Sequence, residues 1–197
     1  MHILFVCHGN VCRSALSEYL LRDALRARGV TEHTPGGVTV SSCGLLRLDG
    51  LAMDDHYVDL LAARGIDGTP HRSTPFTPAL AKAADLTIVF TEEQLDELLG
   101  YAPAAARTTY LMDDFANLCA ACMADGDLPG GGTAAVNPDE RLQSILLAAP
   151  FKRPLLPRPH DIRDPHRRDD TVYAQVADEI VSRIDVIADA LAGAARA

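Results

Sequence analysis

The chain has 197 residues, 48% of them hydrophobic, five cysteines and a formal charge of −9 at pH 7. That is enough apolar material for one substantial core, so a single domain over residues 1–197 is expected, while the negative charge argues against nucleic acid as a partner and no apolar run is long enough to span a membrane. An odd number of cysteines without disulfide-like spacing, and a start that leads straight into a strand rather than a signal peptide, point to a reducing, cytoplasmic setting.

Met1 to Val6 is a short apolar run of the kind that forms a strand buried on both faces. After Arg13, the residues Leu16, Tyr19, Leu20 and Ala24 recur at helical spacing up to Gly29, a stop signal. Val38 to Ser42 reads as a second strand, and Asp54 to Arg64 as a helix that Gly65 ends. A third strand over Asp85 to Phe90, a helix over Glu92 to Leu99 and a fourth strand over Thr108 to Met112 follow. Pro138 to Ala149 can make a short helix, and Val172, Val176, Ile180, Ile184, Ile187 and Leu191 draw one core stripe along a final one. The alternation predicts an α/β, doubly wound fold, with a four-stranded parallel sheet and helices on both faces. Such sheets hold their ligand at the carboxyl ends of the strands, where Cys7 leaves strand one.

Between that strand and the first helix stands Cys7-His8-Gly9-Asn10-Val11-Cys12-Arg13-Ser14. Strand, loop and helix make a phosphate cradle, because backbone N–H groups from His8 to Arg13 can turn into the loop and the helix N-terminus adds partial positive charge. The same field favours a thiolate at Cys7, a nucleophile at neutral pH. Arg13 supplies a planar, permanently charged fork for two phosphate oxygens. Ser14 can donate its hydroxyl to the sulfur, Gly9 permits unusual backbone angles, and Asn10 tolerates the left-handed region while its amide ties loop segments together.

This segment resembles the active-site signature of the low-molecular-weight protein tyrosine phosphatases: a cysteine, five residues and arginine-serine near the N-terminus, with asparagine and a second cysteine inside the loop. The resemblance implies a cysteinyl-phosphate mechanism without metal or cofactor, acting on a phosphorylated protein or a small phosphate monoester. It also implies a general acid near the C-terminal end, and Asp164-Pro165 is the matching dipeptide. Asp164 would protonate the leaving oxygen and then, as base, activate the water that attacks the cysteinyl phosphate, with Pro165 stiffening its loop. Asp161 is a second carboxylate there, and Asp169 and Asp170 read better as a helix cap. Ser42-Cys43-Gly44 lies where the family has a serine-alanine-glycine after strand two, so Ser42 would brace the loop through Asn10. His71-Arg72-Ser73 matches a family segment before strand three, and His71 stays open between a structural role and an ordinary loop histidine. Cys12 would act as a redox partner, forming a reversible disulfide that shields Cys7.

The resemblance covers residues 1 to about 115 and about 160 to 191, and the chain departs from it in two respects, the connection before the acid loop and the cleft aromatics. Residues 116 to 159 form a longer connection, with Gly130-Gly131-Gly132 and six prolines, read as a partly ordered insertion before the acid loop. The family's cleft aromatics are replaced by His166 after Asp164-Pro165 and by a position near Leu48, and the chain has no tryptophan. Val11 stands where the tyrosine phosphatases carry an aliphatic residue and the related arginine phosphatases a threonine. Cys119 and Cys122 raise a second reading, a thioredoxin-coupled arsenate reductase that relays oxidation from Cys7 to this pair. A third is a non-catalytic phosphate-binding module.

Overall fold

The structure is a computed structural model that describes residues 1–130 and 136–194. Its sheet has four parallel strands, β1 (His2–Cys7), β2 (Thr39–Gly44), β3 (Leu86–Val89) and β4 (Thr109–Leu111), in the order β2-β1-β3-β4. Among the described residues seven α-helices connect and cover them: α1 (Arg13–Ala27), α2 (Asp55–Ala62), α3 (Pro78–Ala83), α4 (Glu92–Tyr101), α5 (Met112–Ala124), α6 (Pro138–Lys152) and α7 (Asp170–Ala192). Ile3 and Phe5 face the larger core, built with α1, α5 and α7, while Leu4 and Val6 face a smaller one that includes Leu98 and Leu111. Both faces of β1 are therefore dry, which is why Ile3 to Val6 is continuously apolar instead of alternating. The chain passes from β1 to β2 on one side and later to β3 on the other, so the crevice of this sheet opens at the carboxyl end of β1, where Cys7 sits.

Several boundaries differ from the sequence reading, each for a physical reason. Strand β2 extends to Gly44, so Ser42, Cys43 and Gly44 are its last three residues and not a loop after it. Strand β4 ends at Leu111 and Met112 already opens α5, whose first turn buries the charged pair Asp113 and Asp114. Asp113 is paired with Arg183 at 2.8 Å and with His160 at 3.1 Å, and Asp114 with Arg153 at 2.7 Å. Residues 116–124, read as the start of an insertion, belong to this helix, which packs Leu118, Cys119 and Cys122 into the core. Helix α3, absent from the sequence reading, is six residues long, too short for helical periodicity to register.

Beyond α5, Gly130 takes a φ of 73°, while Gly131 and Gly132 of the glycine triplet lie outside the described residues. Helix α6 then runs three residues past Ala149 and buries Leu142, Ile145 and Ala149 in the larger core. Its Arg141, 7% exposed, donates to the carbonyls of Pro129 at 2.8 Å, Gly130 at 3.0 Å and Ala190 at 3.0 Å, which ties α6 to the end of α7. Replacing Arg141 with leucine strands these carbonyls, and a loss of about 2 kcal/mol is expected, read as a lower urea midpoint with unchanged slope. No described helix is long and apolar enough to cross a membrane.

Candidate active site

Strand β1 delivers Cys7 into the crevice, residues 8–12 loop over it, and α1 begins at Arg13. Asn10 is the loop's internal strut: fully buried, it takes a φ of 52°, a conformation asparagine adopts more readily than most residues. Its side-chain amide donates to Ser14 Oγ at 3.0 Å and Ser42 Oγ at 2.8 Å, and its Oδ1 accepts from the Thr74 amide at 2.8 Å. Its backbone carbonyl accepts from His71 Nε2 at 2.7 Å, which gives that buried histidine a structural place. Ser42 in turn donates to Glu18 at 2.6 Å. Strand β2 presses so close beneath that a Cβ on Gly44 would lie 2.6 Å from the His8 carbonyl oxygen, so glycine is required there.

The Cys7 sulfur sits inside this frame. The Asn10 amide donates to Sγ at 3.3 Å, and Ser14 Oγ lies 2.9 Å away. Because Ser14 accepts the Asn10 amide, its own hydrogen has two acceptors within reach, the sulfur at 2.9 Å and the more distant Cys43 carbonyl at 3.5 Å. Donors of this kind stabilise negative charge on Sγ.

Arg13 is 2% exposed and its guanidinium works on several sides. Nη1 donates to the Ile162 carbonyl at 2.9 Å and Nη2 pairs with Asp164 Oδ2 at 2.8 Å, while Nε, also buried, has no partner among the described residues. The Phe90 ring lies 5.8 Å from the guanidinium carbon and helps to fix its plane. Asp164, 46% exposed, is thus brought to a loop 151 residues earlier in the chain, and its Oδ1 accepts from the His166 amide at 3.1 Å. The segment before it is fastened to the end of β3, where Ile162 donates to the Phe90 carbonyl at 2.8 Å and Asp161 accepts from the Glu92 amide at 2.9 Å. Asp161 is therefore occupied at the start of α4, and Asp169 caps α7 by accepting from Val172.

The remaining residues singled out from sequence border the same loop at different depths. His8 turns toward α4, with Nε2 3.6 Å from Glu97, and Val11 is half-buried against the core. Leu48 is 38% exposed and stands beside Gly9, 3.7 Å from where a Cβ on that glycine would sit. Pro165 is buried and His166 exposed. Tyr57 is buried in the core and Tyr101 lies exposed at the end of α4. Tyr173 and Asp54 were not among the site residues read from sequence. The Tyr173 hydroxyl donates to Asp54 at 2.8 Å beside Cys12, and Asp54, read from sequence as the first residue of a helix, is instead the N-cap of α2. Burial pushes the Cys12 thiol well up, reinforced by the Asp54 charge, and burial raises Cys43 to about 12. Cys119 and Cys122 are both buried on α5, and burial raises both thiols. A redox relay needs thiols that a partner can reach, and both of these are buried.

A family profile described as low molecular weight phosphotyrosine protein phosphatase matches residues 2–129. A probable low molecular weight protein-tyrosine-phosphatase of Ralstonia nicotianae is 34% identical over 112 residues, 57% of this chain and 70% of the relative. A protein-arginine-phosphatase of Bacillus subtilis is 32% identical over 93 residues, 47% of this chain and 57% of the relative. Among solved structures, the tyrosine phosphatase Wzb of Escherichia coli K30 superposes with a TM-score of 0.64 at 23% identity, covering 95% of this chain and 96% of that one. That likeness concerns the fold, and with 95% of the chain covered it extends past residue 129. The chain belongs to the low molecular weight phosphotyrosine protein phosphatase family and is a phosphatase.

Proposed function

We propose that this phosphatase hydrolyses phosphotyrosine in protein substrates, with Cys7 as nucleophile, Arg13 and the amides of residues 8–13 as the phosphate cradle, and Asp164 as proton donor and acceptor. The observation that carries the reading is the Arg13 guanidinium, buried beside the Cys7 loop with an Nε that has no partner among the described residues and with Nη2 on the Asp164 carboxylate. A buried donor without a partner costs free energy, and a phosphate oxygen is the partner that the geometry lacks. The incoming phosphate competes with Asp164 for Nη2. That exchange frees the carboxyl to turn to the leaving oxygen.

The Cys7 sulfur then attacks phosphorus, the bond to the tyrosine oxygen breaks, and Asp164 gives that oxygen its proton. In the second half Asp164 takes a proton from water, which displaces sulfur and releases inorganic phosphate. Ser14 and the Asn10 amide hold the sulfur's charge both as it attacks and as it leaves. The aliphatic Val11 and the apolar side of Leu48 suit an aromatic ring better than a guanidinium, which favours phosphotyrosine over phosphoarginine.

Asp164→Asn tests the assignment because it keeps the shape and removes the proton. Turnover of a phosphotyrosyl peptide is expected to fall by about a hundredfold or more. p-Nitrophenyl phosphate, whose leaving group needs less protonation, should lose less. Equal turnover by the variant, or a preference of the wild type for phosphoarginyl over phosphotyrosyl peptide, would refute the reading.

A further inference from the structure

At the rim of the cradle one cluster has no task in the chemistry above. Cys12 Sγ, a carboxylate oxygen of Asp54 and a ring nitrogen of His166 all lie within 4.8 Å of one another. They come from three separate segments: the phosphate loop, the residue before α2 and the turn after Pro165. Cys12 is buried and His166 exposed, with Asp54 between them, so the cluster opens to solvent on one side.

We propose that Cys12, Asp54 and His166 form a binding site for a zinc-class divalent ion, which ties the acid loop to the phosphate loop when bound and so suppresses turnover. One thiolate, one imidazole and one carboxylate are the donors that such an ion prefers, whereas magnesium and calcium reject sulfur. Around tetrahedral zinc, with bonds of about 2.0–2.3 Å, neighbouring donor atoms stand roughly 3.3–3.8 Å apart. Cys12 Sγ and Asp54 Oδ2 are already 3.9 Å apart, so closing the site needs chiefly the exposed His166 to swing inward.

The outer shell is in place as well. Tyr173 donates its hydroxyl to Asp54 Oδ2 at 2.8 Å, and Asp54 Oδ1 accepts from the His56 amide at 3.1 Å and lies 2.8 Å from His56 Nδ1. The His56 ring stacks on Tyr173 at 3.9 Å and reaches Asp170 at 3.2 Å, which locks the carboxylate's supports. Metal-ligating carboxylates are oriented by partners of this kind. Binding expels the Cys12 proton to solvent and forms no other covalent bond. Three protein donors leave a fourth position for water or an anion. His166 follows Asp164 by two residues, so an ion gripping it would hold the acid loop in the position where Asp164 pairs with Arg13. The inhibitory consequence rests on the role proposed for Asp164, but ion binding does not.

Cobalt(II) is the probe, added to the Cys7→Ser protein so that the neighbouring thiolate cannot compete. A thiolate-to-cobalt absorption band saturating at one ion per chain is expected, displaced by zinc and not by magnesium. Adding Cys12→Ser should abolish the band, and His166→Ala or Asp54→Asn should weaken binding by about tenfold or more. No band, a band that survives Cys12→Ser, or binding indifferent to His166→Ala would overturn the site. His166 is exposed, so its alanine variant tests the proposal even if Cys12→Ser misfolds. In the wild type, zinc should inhibit p-nitrophenyl phosphate hydrolysis, and His166→Ala should raise the half-inhibitory concentration about tenfold. Binding without inhibition would overturn the locking step alone.

Discussion

Cys7→Ser should abolish turnover, lowering kcat by about four orders of magnitude or more, the scale seen when a nucleophile is removed from a covalent mechanism. The substitution changes one atom, and the surrounding donors remain: the Asn10 amide and the Ser14 hydroxyl still face the side chain. What is lost is the nucleophile, since a serine hydroxyl attacks phosphorus far less readily than cysteine sulfur does. Phosphate affinity should change little, because the cradle's charge resides on Arg13 and on backbone amides rather than on Cys7. Two measurements check this together: kcat for p-nitrophenyl phosphate, and inorganic phosphate binding by calorimetry. Retained turnover would mean that water attacks phosphorus directly. Lost phosphate binding would mean that Cys7→Ser had disturbed the loop itself.

The sequence showed the parts of this site that are contiguous, and hid those that are assembled. Residues 7–14 carry their meaning locally, because strand, loop and helix follow one another and each residue type has one use there. The supports of Asn10 were less visible, since Thr74 contributes only a backbone amide that any residue but proline could supply. His71 was ambiguous for a similar reason: its ring acts on a backbone carbonyl 61 residues away, which no spacing announces. The core shows the same division. The stripe on α7 was readable because nearly every residue in it is buried, whereas nothing in the sequence marks Asp113 and Asp114 as buried, a place they hold by pairing with Arg183, His160 and Arg153. The polar Ser42 marked a false end to β2, because at the carboxyl edge of the sheet a strand residue serves the loop instead of the core.

Arg13→Lys should be the most damaging charge-conserving change in the chain, costing about a thousandfold in kcat/KM. The guanidinium divides its donors among three duties: Nη1 goes to the Ile162 carbonyl, Nη2 to Asp164, and Nε, without a partner among the described residues, is left for the phosphate in the proposed mechanism. An ammonium group is a compact point charge and cannot serve all three. If it stays with phosphate, the buried Ile162 carbonyl loses its partner and the acid loop loses its fastening to the cradle. If it turns to Ile162 or Asp164, the phosphate loses its planar fork. The split between the constants tells which happens. A rise in KM alone means that Arg13 mainly holds ground-state phosphate, whereas a fall in kcat means that its fork follows the phosphoryl group into the transition state, where charge moves onto the equatorial oxygens. The second is expected, because rigid donors held by Ile162 and Phe90 are placed before the reaction begins and need not reorganise during it. Activity within tenfold of wild type would transfer the role to the loop amides.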